Sequence, residues 1–205
     1  MTDSQVFSPP TLEDILRGAP PGIADLAAAA CQYVERAVGV GVDFTPETLP
    51  IVDHYVVLAR HEVEERPELL PLIARALGAY FGQIVVRELG GFWHVPSEDE
   101  HRWQVCLRRV LLAFNPVGIA HEVLVQGSAK GPPAAILVAP EERAAVFARL
   151  DSLPPVDEAE YFMLATRFEG LEIAVAALSE SRVEATADVE FDWEDYSGLV
   201  AASAV

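Results

Sequence analysis

The chain is nearly without lysine and poor in cysteine: among 205 residues Lys130 is the sole lysine, and Cys31 and Cys106 are the only thiols. Two cysteines are too few for a disulfide framework or a thiolate metal site. Each lies in an apolar segment, where a buried free thiol is ordinary packing. A phosphate loop needs Gly-Lys-Ser/Thr, and Lys130 has no such neighbours. Gly39-Val40-Gly41 lacks the third glycine and the helix of a dinucleotide fingerprint. No Gly-x-Ser-x-Gly elbow occurs. Met1-Thr2-Asp3-Ser4-Gln5 shows no basic region followed by an apolar run, so no secretory leader is expected. No run of about 18 uncharged apolar residues is present, so no membrane span is expected. Together these absences predict a cytoplasmic protein and give no support to an enzyme.

What is present is acid. The formal net charge is −18, and residues 151–205 hold 13 acidic and 2 basic residues. Such a field repels phosphate backbones and anionic lipid surfaces, which argues against nucleic acid and membrane as partners. It keeps the protein soluble, docks a basic partner or mimics a polyanion. Apolar residues make up 51% of the chain, enough for a sizeable core and too many for global disorder. The bias toward Arg, Ala, Val, Pro and Gly matches the codon usage of a high-GC genome and predicts a bacterial source.

Pattern and punctuation predict an α+β fold, with N-terminal helices packed on a small antiparallel sheet, further C-terminal helices and an acidic terminal strand or tail. Residues 1–20 read as an arm with a short turn at Leu12–Leu16, 21–153 as the core domain, 154–183 as a C-terminal helix, and 184–205 as the acidic aromatic strand or tail. The first long helix spans Pro21–Val38. The second follows Asp43-Phe44-Thr45-Pro46-Glu47, with Thr45 as cap and Pro46 at the first helical position. The third runs from Pro67 to Leu89 and carries Gly78 and Gly82 four residues apart. Glycine costs roughly 1 kcal/mol against alanine in a helix interior, so a close approach by another helix or by the sheet is expected there. Gly90-Gly91 stops that helix. Phe92–Val95 and His101–Leu112 then alternate as a β-hairpin. Asn115-Pro116 opens a helix to Gln126, Ala135–Val138 suggests a strand, and Pro140-Glu141-Glu142 opens a helix to Leu150. After Pro154-Pro155, one helix is expected to carry Tyr161, Leu164, Phe168, Leu171, Val175 and Leu178 as an apolar stripe. Val189–Glu194 alternates apolar with acidic residues and reads as a strand.

Five histidines raise the question of a metal. His54 and His61 are seven apart, too far to share one ion, and His61-Glu62 lacks the second histidine of a zinc-protease helix. His94 and His101 flank the hairpin turn beside Glu98 and Asp99, but no four-ligand spacing emerges. No metal and no cofactor are expected. A pocket between the Gly78/Gly82 helix and the 92–112 hairpin, using Tyr80, Gln83, Trp93 and His94, would instead make the chain an enzyme or small-molecule binder.

Val42-Asp43-Phe44-Thr45-Pro46-Glu47-Thr48-Leu49, Leu77-Gly78-Ala79-Tyr80-Phe81-Gly82-Gln83 and Gly90-Gly91-Phe92-Trp93 resemble a family of bacterial domains of unknown function. Its pattern is an "LDYSPESL"-type helix start, then "LGAYLGE", then "GGxW". The likeness covers about residues 40–125, and Gln83 stands where the pattern has glutamate. It implies a recurring helix–helix–hairpin module with Tyr80 and Trp93 in its core, and no particular reaction. The function expected first is a non-enzymatic protein that binds a specific protein partner, a basic one among the options, as an adaptor, toxin-neutralising protein or small chaperone would. Phe191, Trp193 and Tyr196 would be the anchors, with Asp192, Glu194 and Asp195 steering encounter. A further alternative is a structural subunit of a homo-oligomer, joined through the Leu164–Leu178 stripe.

Overall fold

A computed structural model describes residues 11–127, 131–182 and 190–203. The chain is an α+β fold, mainly helical, with one small antiparallel sheet. Helix α1 (Leu12–Leu16) precedes α2 (Pro21–Val38), which Gly39 ends in the left-handed conformation at φ 78°. A 3-10 turn over Pro46–Thr48 leads into α3 (Leu49–Glu65), and a second over Pro67–Leu69 into α4 (Leu70–Glu88). Four strands follow in the order β1 (Gly91–His94), β2 (Gln104–Leu107), β3 (Leu112–Phe114) and β4 (Leu137–Val138), with α5 (Pro116–Val125) between β3 and β4. The C-terminal part is α6 (Pro140–Asp151), α7 (Glu158–Tyr161), α8 (Leu164–Arg182) and α9 (Trp193–Ser203).

Helix α4 is the axis of the core. Nearly every residue from Ile73 to Val85 is buried, on all sides of the helix. The segment Pro67–Glu88 is long and apolar enough to cross a membrane, yet 67% of its most apolar 18-residue stretch is buried inside the fold. The two glycines are the contact points for its neighbours. A Cβ at Gly78 would lie 2.7 Å from the Val117 Cα of α5. One at Gly82 would run into the Trp93 indole of β1 and come within 3.0 Å of Pro116. Both expected approaches, helix and sheet, therefore occur, on one turn of one helix.

The sheet has two apolar faces. In the antiparallel register Phe92 pairs with Cys106 and Trp93 with Val105, so residues alternate in and out. Val105, Leu107, Leu112, Phe114 and Val138 join the main core with α4 and α5. Phe92, Cys106, Ala113 and Leu137 belong to a second, smaller cluster completed by Phe191, Trp193, Tyr196 and Leu199. Helix α9 is therefore the third layer, laid over the sheet face opposite α4.

Several boundaries differ from expectation for identifiable reasons. The strand expected from His101 to Leu112 is two strands separated by a turn over residues 108–111. Thr45 makes no side-chain cap. Asp43 does the work instead, its Oδ1 accepting from the Thr45 amide (3.2 Å), the Thr45 hydroxyl (2.7 Å) and the Thr48 hydroxyl (3.1 Å). The helix after Pro154-Pro155 is broken between Tyr161 and Leu164, because α3 captures the backbone groups of the break, as described below. The terminal strand is a helix. Val189 lies outside the described residues, and Glu190–Asp192 are irregular before α9 begins. Asp192 Oδ1 accepts from the Glu194 amide (2.8 Å), while Asp195 Oδ2 accepts from the Asp192 amide (3.0 Å), a reciprocal capping arrangement that starts a helix.

The glycines of α4 and α8 should respond oppositely to the same change. Gly78→Ala must push α5 backbone aside and should cost about 1–3 kcal/mol despite better helix propensity. Gly170→Ala in α8, where a Cβ meets nothing within 4 Å, should stabilise by about 1 kcal/mol. Urea midpoints at unchanged slope will read both.

Candidate functional site

Two groups of residues singled out by the sequence prove to be scaffold. The Tyr80 hydroxyl, fully buried, accepts from the Phe44 amide (3.2 Å) and lies 3.1 Å from the Thr48 hydroxyl. Its ring sits 4.5 Å from that of Phe44, a residue held at φ 62°. Burial pushes the Tyr80 phenol up to about 12, so it stays neutral. Gln83 donates to the Ile15 carbonyl (3.0 Å) and accepts from the Trp93 indole N–H (3.2 Å), tying α1 to α4 and α4 to β1. The interval where a pocket was expected is thus filled by Trp93 and Pro116. His94 lies on the other face of the sheet, stacked on Trp193 at 3.2 Å between ring centroids and 6° between planes.

The aromatic residues of the tail are likewise turned inward, a correction to their expected role as partner anchors. Tyr196 is fully buried. Its hydroxyl accepts from the Leu112 amide (3.0 Å) and can give its one proton to the Leu107 carbonyl (2.7 Å) or the Val110 carbonyl (2.8 Å). A single phenol therefore closes the 108–111 turn. The Phe191 amide donates to the Arg108 carbonyl at 2.7 Å, and Trp193 is half-buried. What remains outside is charge: Asp192, Glu194 and Asp195 are exposed. The α8 stripe expected to face a second copy is also covered, since Leu164, Phe168, Leu171 and Leu178 are buried within the chain's own core.

An open concavity with a polar rim lies elsewhere. A cleft of about 530 Å³ lies between α3 and the α7–α8 junction, lined by Pro50, Asp53, His54, Val57, Glu160, Met163, Ala165, Thr166 and Glu169. Asp53 forms its floor. Its two carboxylate oxygens accept from the amides of Leu164 (2.6 Å) and Ala165 (3.0 Å), capping α8 from another helix. Two α3 turns further on, Arg60 donates to the Phe162 carbonyl (2.7 Å) and the Val123 carbonyl (3.2 Å). These two side chains take the backbone groups that would otherwise have joined α7 to α8. Burial raises the Asp53 carboxyl above its ordinary value, against the lowering effect of the two amides and of Arg60. With both oxygens occupied by amides, Asp53 is a capping group and a poor general base.

The rim is different. His54, Glu160 and Glu169 are exposed and surround apolar Pro50, Val57 and Met163. An anionic mouth over an apolar wall suits a guanidinium or ammonium group on an aliphatic stem. Position α7 is fixed by Arg167, which pairs with Glu122 of α5 (2.6 Å) and lies over the Tyr161 ring at 3.9 Å. Among the described residues no three His, Cys, Asp or Glu side chains converge to hold a metal ion. Burial pushes Cys106 and Cys31 to about 12, far from a reactive thiolate. Asp53 and Arg60 were missed from sequence, although both sit on the apolar stripe of α3 with Leu49, Val52, Val56 and Ala59, where a charge signals a long-range partner. No known family, curated protein or solved structure matches the chain.

The tail and the histidines yield two expectations. Tyr196→Phe removes the hydroxyl from buried polar backbone and should destabilise by about 1–3 kcal/mol, read by denaturant unfolding. His121 is buried, with Gly131 against its imidazole. Burial first, and the charge of His101 second, hold its pKa below 6.5. Burial and Arg102 do the same for His94. In each case the unfolded state protonates first as pH falls through 6.5. Stability present above that value should therefore drain away below it, until the folded imidazoles protonate as well. The melting temperature should drop between about pH 7.5 and about pH 5.5, and His121→Gln should flatten the profile.

Proposed function

We propose that the chain is a non-enzymatic, adaptor-type protein that binds a basic protein partner, and that the partner seats a basic side chain in the cleft between α3 and the α7–α8 junction. The observation that carries this reading is the composition of the cleft: exposed Glu160 and Glu169 over the apolar wall of Val57 and Met163, with a permanently capped Asp53 beneath. The net charge of −18 supplies long-range attraction for such a partner and repels polyanions. The exposed carboxylates Asp192, Glu194 and Asp195 remain suited to steering encounter, whereas Phe191, Trp193 and Tyr196 are already engaged with the sheet.

The test is capture of binding proteins from extracts of the source cell on the immobilised full chain, quantified by mass spectrometry. Glu160→Gln with Glu169→Gln should reduce retention of a basic partner about 3- to 10-fold and lower its salt sensitivity. Asp192→Asn with Glu194→Gln and Asp195→Asn should slow association more than it weakens the complex. Retention unchanged by the Glu160/Glu169 pair would remove the cleft from the contact.

A further inference from the structure

Residues 140–161 are packed more loosely than helices α3, α4, α5 and α8. In α6 only Val146 is buried, with Leu150 partly so, and every residue from Asp151 to Tyr161 is exposed. Yet the segment is not polar. Phe147 is 56% exposed, Val156 49%, Tyr161 46% and Leu153 40%, four of the nine large apolar side chains that stand in solvent among the described residues. Helical spacing puts Ala144, Phe147 and Ala148 side by side on one face, all exposed, with Glu141 and Asp151 at its two ends. Small side chains around a single ring make a shallow, low-relief surface, one a helix can lie on closely. The segment carries six carboxylates (Glu141, Glu142, Asp151, Asp157, Glu158, Glu160) against two arginines. One of those, Arg149, lies 3.8 Å from Glu180 of α8.

We infer that the outward face of α6, continued through Leu153 and Val156 to Tyr161, is a docking surface for a basic amphipathic helix of a partner protein. The inference rests on the basic-partner reading above and extends it to a face that adjoins the cleft through Glu160. Charge selects the occupant. A second copy meeting this face through a two-fold axis would set six carboxylates against six, an arrangement that repels itself. Anionic lipid and nucleic acid are refused on the same ground. A helix with apolar residues at i, i+3, i+4 and i+7 and basic residues on its flanks satisfies both the ring and the rim. Three turns of α6, about 18 Å, would match a partner helix of similar length.

The experiment titrates fluorescein-labelled synthetic peptides with the full chain and follows anisotropy. One peptide of about 15 residues carries leucine at helical spacing among lysines and arginines, and a second has the same composition with the period scrambled. The periodic peptide should bind at least about tenfold tighter than the scrambled one. Phe147→Asp and, separately, Ala148→Glu should each remove most of that difference while circular dichroism stays unchanged, since both positions are exposed. Equal affinity for the two peptides, or indifference to both substitutions, would overturn the inference and leave unspecific charge attraction. So would self-association in sedimentation that Phe147→Asp abolishes, because the occupant would then be a second copy. Binding that depends on Glu160 and Glu169 but not on Phe147 would sink this inference and spare the cleft. The reverse dependence would sink the cleft as the seat of the basic side chain and keep this face.

Discussion

The fold depends on helix α4 being approachable from every side. A helix buried all round must accept neighbours at several azimuths, and side chains of ordinary size would hold them about 8–10 Å from its axis. Gly78 and Gly82 remove that spacing where it matters, admitting the backbone of α5 at one and the Trp93 ring at the other. Trp93 in turn fixes β1, and its indole N–H fixes Gln83, which reaches back to α1. Sheet, N-terminal segment and α5 thus take their positions from one helical turn. The cost in helix propensity, roughly 1 kcal/mol per glycine, is offset by the packing of everything that rests on that turn.

The peripheral layers are joined by polar contacts across long sequence separations. Asp53 and Arg60 set where α8 starts and where α7 stops, and so create the cleft wall. Arg75 with Glu100 (2.5 Å) and Asn115 with the Glu100 carbonyl (2.6 Å) hold the β1–β2 connection to α4 and to the start of α5. In each case a buried or half-buried polar or charged side chain meets backbone or an opposite charge, as burial in low dielectric requires. The acidic surface is what is left once these pairs are made, and its apolar islands on α6 and α7 stand out against it.

Much of this was legible in the sequence where local physics decides. Proline at the first helical turn, glycine after the last, and Asn115-Pro116 marked α2 through α5 to within a few residues. The paired glycines forecast close contacts, because two of them four residues apart put the loss of helix propensity on one side of the helix, where packing can offset it. Illegible were features set by distant partners. No local signal splits 157–182 into two helices, since the capping carboxylate is more than a hundred residues away. The tail shows a different failure. Phe191-Asp192-Trp193-Glu194 has the period of a strand, but Asp192 and Asp195 are three apart and cap each other's ends, and capping outweighed alternation. Tyr196 reads as an exposed aromatic only until the uncovered face of the sheet is known.

The dependence of the sheet on Tyr196 also has a kinetic side. The phenol meets Leu112 across 84 residues and Leu107 across 89. Closing such a loop carries an entropy that grows with its length, so contacts of this kind form late in a folding reaction rich in local helices. Until they do, the α4 side of the sheet is covered while Phe92, Cys106, Ala113 and Leu137 lie open on the other. A species lacking those contacts would present an apolar sheet face without its lid, a surface prone to off-pathway association. The exposed carboxylates of Asp192, Glu194 and Asp195, carried beside those aromatics, would oppose the approach of like chains to such a surface.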